Sequence, residues 1–273
     1  MRLSRNRSWD YLHRAMDRNR SDLDLISSGL APTLALARDF VGGSIVPAHS
    51  HRVGQLLHTL TGVILAETPG RAWAIPPGRA LWIPANTNHG FKTVGAARVR
   101  TLYIASEAAG LLPAEPRILR VTPLVRELIV RTEADGRNGT SERVQSLLVP
   151  LLMAELADAI TEDLSVPWPT SRAMLAFAQK ANDQEGASLS DVAATLGISA
   201  KTLARKFRRE TGMSPDQWRR HTKLLAAIAH LREGRSITEV AHSLGYSSSA
   251  SFAAAFKQCF GMTPSQSRDN VDH

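Results

Sequence analysis

Two groups of residues in this chain have the types and spacing to do chemistry. The first lies in KTLARKFRRE, Lys201 to Glu210, with five positive charges in ten residues. At helical spacing Lys201, Arg205 and Arg208 fall at i, i+4 and i+7 and face away from Leu203 and Phe207. Such a face can reach guanine edges in a DNA major groove, or it can simply be a solvated surface. The second group is His49-Ser50-His51. On one strand both rings point to the same side, and a third imidazole from another strand can complete a facial set suited to Zn, Ni or Fe(II). The same rings can instead hydrogen-bond to one another, to water or to an organic ligand.

The elements that would position the basic face are repeated. LSDVAATLGISAKTLARKFRRETGMSP (189–215) aligns with ITEVAHSLGYSSSASFAAAFKQCFGMTP (237–264). Ala193 and Gly197 match Ala241 and Gly245 at an offset of 48. After one inserted residue Leu203, Phe207, Gly212 and Pro215 match Phe252, Phe256, Gly261 and Pro264 at 49. Each copy predicts a short helix stopped by a glycine free to take positive φ, then a Ser-capped second helix with its apolar residues at i and i+4. That is a helix-turn-helix, and two copies joined by the amphipathic 216–234 are far more specific than one. The first second-helix offers Ser199, Lys201, Thr202, Arg205, Arg208 and Arg209 to bases and phosphates. The other offers Ser247, Ser248, Ser249, Ala250, Ala253 and Lys257, mostly small groups with little bidentate readout. The expectation is asymmetric: the first unit reads bases and the second mainly positions.

Residues 172–268 resemble the tandem helix-turn-helix domain of the AraC/XylS family of bacterial transcription regulators. The carriers are Ala193 with Gly197, Leu203 to Phe207, Gly212-Met213-Ser214-Pro215 and GYSSSASFAAAFKQCFGMTP (245–264). The resemblance implies two recognition helices set in adjacent major grooves by one molecule. One departure is SQSRDN, which stands where many members have an aromatic before Arg268.

The text from about 30 to 105 is short β-like runs broken by Gly and Pro, the pattern of a sandwich or barrel. Five residues separate Gly43 from His49, three separate His51 from Gln55, and six separate Gln55 from Gly62. Further on come Gly78, five residues, Pro84 and then His89. This spacing resembles the two motifs of the cupins. In metal-binding cupins they supply two His and a Glu, then one His, which carries over to His49, His51, Gln55 and His89. Gln55 replaces the usual Glu with a neutral amide oxygen, and Asn86 stands where the second motif has Gly. No cofactor is fixed by this; a divalent transition metal (Zn, Ni or Fe) is the candidate. An organic effector would sit against His49, His51 and His89 with Trp73, Trp82 or Tyr103, since barrel mouths commonly hold small molecules.

Composition sets the outer bounds. The 273 residues carry 33 Lys+Arg against 25 Asp+Glu, a net charge of +8, and +5 of it falls in 171–273. Cys259 alone cannot close an intramolecular disulfide, and no apolar run of about 18 residues suggests a membrane span. The expected architecture is two-domain α+β. It comprises a basic tail at 1–20, a cupin/jelly-roll β-barrel at 21–115 and a helical dimerisation or relay region at 116–162. A linker at 163–171, marked by Pro167 and Pro169, leads to an all-α tandem helix-turn-helix domain at 172–268. Val144, Leu148, Leu151, Leu152, Leu156 and Ile160 form one helical apolar stripe, for a homodimer contact or for the chain's own barrel. The expected function is a cytoplasmic, nucleoid-associated regulator. Its partners are promoter DNA and a small-molecule effector, with RNA polymerase added if it activates. The alternative is a metal-dependent cupin enzyme fused to a DNA-binding domain, though no general base accompanies the histidines.

Overall fold

The computed structural model describes residues 32–138, 142–183, 189–195 and 197–269. The tail expected at 1–20 lies outside the described residues. Strands β1 (Thr33–Phe40), β2 (Ile45–His49), β3 (Gly54–Thr68), β4 (Arg71–Ile75), β5 (Arg79–Ile83), β6 (His89–Ile104) and β7 (Arg117–Arg120) come first. Helices α1 (Pro123–Asn138) and α2 (Glu142–Ala157) follow, then two short strands, β8 (Thr161–Glu162) and β9 (Ser165–Pro167).

Two long strands organise this half. The first part of β3 pairs with β5 and with the end of β6; its second part pairs with β4 and with the start of β6. Register shifts between Thr59 and Val63 bend the pair, so each strand serves two layers. Gly62 sits at the bend with φ 76°, and a Cβ there would come within 2.3 Å of the Ala96 carbonyl oxygen. The sheet is therefore cupin-like without being the closed barrel expected. Its path runs β1-β6-β3-β5-β7-β8 with unpaired ends, and β2, β4 and β9 branch off to form the other layer. Bent strands that cross both layers bring them together without a closing ladder.

Alternation sorts the side chains. Leu57, Leu81, Ile83 and Val99 face the interior, where Ile64, Ile75 and Phe91 meet them. Leu56, Ala80, Trp82 and Leu102 face outward and are covered by Val125, Ile129, Leu152 and Leu156 of α1 and α2. The expected stripe on α2 is split by this packing. Leu148, Leu152 and Leu156 are buried, whereas Val144, Leu151 and Ile160 stay exposed, joined by Leu147 at 68% exposure. Buried Arg79 holds Glu162 of β8 at 2.5 Å, and Arg120 reaches the other carboxylate oxygen at 2.8 Å.

The helical half has α3 (Arg172–Asp183), α4 (Leu189–Thr195), α5 (Ala200–Thr211), α6 (Pro215–Arg232), α7 (Ile237–Ser243), α8 (Ser249–Phe260) and α9 (Pro264–Asp269). The boundaries of α4 and α7 differ by the offset of 48, and those of α5 and α8 by 49, as the repeat requires. Gly197 and Gly245 take φ of 63° and 83° in the two turns. Ser199 and Ser248 cap α5 and α8, which end on Gly212 and Gly261 in the left-handed conformation.

The segment expected as a linker is built into the fold. Ser165–Pro167 pair with β4, and Trp168 is buried. Pro167 and Pro169 exclude a helix, but Pro167 fits β9 because that strand pairs on one side only. Trp218 of α6 donates its indole N–H to the Pro167 carbonyl at 2.7 Å, and its ring lies 5.1 Å from that of Trp168. α6 packs on β3, β4 and β9, so one apolar core runs from Leu57 in the sheet to Phe260 in α8.

Candidate effector site and nucleic-acid interface

Three histidines converge inside the sheet. His49 ends β2 and is paired with His89, the first residue of β6. His51 lies two residues past the end of β2, so the expected His-x-His face is made by a strand end and the adjoining loop. Asn86 donates its backbone N–H to the His51 carbonyl at 2.8 Å and takes φ 62°. That conformation accounts for the glycine which the second motif has there, and Asn is among the few other residues that adopt it readily. The ring centroids of His89 lie 4.4 Å from His49 and 5.0 Å from His51. The potential ligand atoms of the three all fall within 4.8 Å of one another.

The hydrogen bonds fix which nitrogens are free. His49 Nδ1 donates to Pro47 O at 2.9 Å, His51 Nδ1 to Val53 O at 2.7 Å, and His89 Nδ1 to Thr87 O at 2.8 Å. A backbone carbonyl only accepts, so each Nδ1 carries the proton and each neutral ring presents a bare Nε2. Gln55, buried on β3, sets its Oε1 2.9 Å from His51 Nε2 and 2.8 Å from His89 Nε2. Burial pushes His89 down to about 4, against the bond to Thr87, and the charges of His49 and His51 add to the fall. Burial likewise lowers His49, with His51 adding to it. With the rings neutral, the three Nε2 atoms and Gln55 Oε1 are acceptors facing one another, which is a donor set for a cation.

Of the aromatics expected around these rings, Tyr103 is in place, edge-on to His51 at 5.3 Å. Trp82 is a correction: its ring faces the outer core under α1 and α2, and its N–H goes to Pro113 O. Trp73 joins the inner core with its N–H on Thr68 Oγ1 at 2.8 Å, a packing role. Alternation put Trp82 on the opposite face of β5 from Ile83, a parity that the sequence contained.

The second surface is the outer face of α5. Leu203, Phe207 and Thr211 are buried, and Lys201, Arg205, Arg208 and Arg209 are exposed. Phe207 packs edge-on to Phe177 at 5.1 Å and to Trp218 at 5.3 Å, which holds the cationic face outward. Ser199 Oγ accepts from the Thr202 backbone N–H, so its hydroxyl oxygen is engaged in capping. On α8 the buried residues are Phe252, Phe256 and Phe260, while Ser247, Ser248, Ala250 and Lys257 are exposed and Ser249 and Ala253 half-buried.

One residue that sequence reasoning passed over is Glu210, the acid of α5. Its carboxylate accepts from the backbone N–H groups of Thr170 and Ser171 at 3.1 and 3.0 Å and from Ser171 Oγ at 2.6 Å. It is drawn back to the start of α3, away from the basic face, and ties α5 to the segment leaving the sheet. An acid 40 residues from its partners has no local signal.

Comparison with known proteins assigns a family to each half of the chain. Residues 192–270 match a helix-turn-helix domain family and residues 31–156 the AraC-like ligand binding domain. The chain is 33% identical over 221 residues to the HTH-type transcriptional regulator NimR of Escherichia coli (strain K12), covering 80% of each protein. It is 26% identical over 250 residues to the HTH-type transcriptional activator RhaS of Klebsiella pneumoniae (strain 342), covering 84% of this chain and 90% of that one. Among the described residues no helix is long and apolar enough to cross a membrane.

Proposed function

The chain belongs to the AraC family of transcription regulators, and on that premise we propose how its two halves divide the work. α5 reads base edges through Lys201, Arg205 and Arg208, with Arg209 and Thr202 on flanking phosphates. α8 brings Ser247, Ser248, Ser249, Ala250, Ala253 and Lys257 against the neighbouring groove and positions more than it reads. Small groups allow close approach there but form few bidentate contacts. The supporting observation is the exposure of every cation on that face of α5, with Glu210 turned away.

The interior of the sheet is the sensing site, where His49, His51 and His89, with Gln55 beside them, would hold a divalent transition metal. The observation that carries this is the fixing of all three Nδ1–H groups to backbone carbonyls, which leaves Nε2 lone pairs and the Gln55 oxygen converging without a donor. Zn, Ni or Fe(II) suits three neutral imidazoles. Bound there, the ion would supply a Lewis-acidic position for an effector, with Tyr103 at its edge. Elemental mass spectrometry on purified wild type and His51→Ala tests this, with about one metal per chain expected in the first and none in the second. No metal in either would mean that the Gln55 amide is turned over and donates its NH2 to both nitrogens, leaving a site for an organic ligand.

The exposed stripe of Val144, Leu147 and Leu151 on α2 is the dimer contact, since apolar residues at i, i+3 and i+7 fit a second copy of the same helix. Light scattering on wild type and Leu147→Glu should give dimer and monomer respectively. Monomer for both, with and without DNA, removes that contact.

A further inference from the structure

Gln55 stands where a carboxylate would complete the histidine cluster, and an amide can do what an ionised carboxylate cannot, which is donate. Gln55 is 3% exposed, and its Oε1 lies 2.9 Å from His51 Nε2 and 2.8 Å from His89 Nε2. Among the described residues its NH2 forms no hydrogen bond, so no partner of the NH2 holds the amide in that orientation. Half a turn about the last side-chain bond exchanges oxygen and nitrogen. The two N–H protons then face the same two ring nitrogens.

The two orientations suit two states of the site. With their Nδ1–H protons held by the Val53 and Thr87 carbonyls, neutral His51 and His89 offer only lone pairs at Nε2. His89 is 2% exposed, and a buried acceptor left without a donor is costly. Besides Gln55, no described residue forms a hydrogen bond to either Nε2. Turned over, the one NH2 group satisfies both. His49 Nε2 stays free in either orientation, on a half-exposed ring 4.4 Å from that of His89.

We propose that Gln55 is an internal competitor for the metal. Its NH2 bridges His51 and His89 in the metal-free protein and must release both before their nitrogens can coordinate. The amide thereby sets the concentration of free ion at which the sensing site fills. Gln55→Glu does the reverse, since an ionised carboxylate cannot donate and adds a charge that attracts a cation. The inference rests on the reading of the three histidines as a metal site and gives Gln55 a part in it other than that of a ligand. Two ordinary hydrogen bonds to be displaced correspond to about 5- to 150-fold in a binding constant.

Zinc titrations of the metal-free full chain against a chromophoric chelator give the affinities of wild type, Gln55→Leu and Gln55→Glu. Leucine cannot donate, so Gln55→Leu should bind zinc more tightly than wild type by that factor, and Gln55→Glu should also bind more tightly. Were the amide oxygen a ligand, Gln55→Leu would bind more weakly. A second measurement needs no variant. In isotope-labelled wild type, the Gln55 side-chain amide protons, assigned through their own side-chain carbons, should exchange slowly with solvent without zinc and faster with it. Should Gln55→Leu not fold, these exchange rates decide. Equal or weaker zinc binding by Gln55→Leu, or amide exchange unchanged by zinc, overturns the inference and leaves the metal site standing. No zinc bound by either wild type or Gln55→Glu removes the metal reading itself, and the inference with it.

Discussion

Replacing Arg205 by Ala should change what the protein reads more than whether it folds. The side chain is exposed on α5 and forms no part of the Leu203–Phe207 packing, so the stability change should stay within about 0.5 kcal/mol. A bidentate arginine contact to guanine discriminates by about 1–3 kcal/mol, which is about 5- to 150-fold in preference at one base pair. Lys257→Ala on α8 is the matched control, because its neighbours on the exposed face are Ala and Ser. Loss of a phosphate contact weakens all sequences alike and lowers the salt slope of binding by about 0.9. The assay is selection from randomised duplexes, followed by anisotropy titrations at two salt concentrations. Arg205→Ala should return a motif with one or two relaxed positions, and Lys257→Ala the parent motif with a shallower slope. An unchanged motif for Arg205→Ala, or an altered one for Lys257→Ala, refutes the division of labour between the helices.

Three further outcomes follow from the sheet. His89 is held at about 4 against an unfolded value near 6.5, so the unfolded chain takes up a proton first as pH falls; metal-free protein should lose about 3 kcal/mol between pH 6.5 and 4, flattened in His89→Asn, by urea melts at stepped pH. Glu162→Gln leaves Arg79 buried beside a neutral amide and should cost about 3–5 kcal/mol in the same melts. Burial alone would raise the Glu162 carboxyl, but Arg79 and Arg120 bring it below its ordinary value, so its contribution is present above about pH 4.3 and disappears as pH falls through the folded value. Gly62→Ala combines a φ of 76° with a clash against the Ala96 carbonyl and should destabilise by about 2–3 kcal/mol, seen as a lower melting temperature.

The helical half was legible nearly to the residue because its signals are local. Ser199 and Ser248, Gly212 and Gly261, and Pro215 and Pro264 punctuate each repeat within a turn or two of the helix that they bound. The sheet was legible in kind but not in closure, because β8 and β9 are set by pairing with strands 42 to 96 residues away. Two prolines and a Trp read as a linker until β4 supplies the partner that makes Ser165–Pro167 a strand. The histidines could be found by spacing alone, but the carbonyls that fix their tautomers, those of Pro47 on β2 and of Val53 and Thr87 in loops, are set by a local geometry that no spacing encodes.

The central claim is sequence-selective DNA binding, and the ratio of two affinities tests it most directly. Full-length protein is titrated by anisotropy against its own selected duplex and against a shuffled duplex of the same composition, at physiological salt. The account predicts that the selected site is bound about 1,000-fold or more tightly, the lower end for specific regulators. Equal affinity for the two, falling together with salt, would mark a binder held by phosphate charge alone and contradict it.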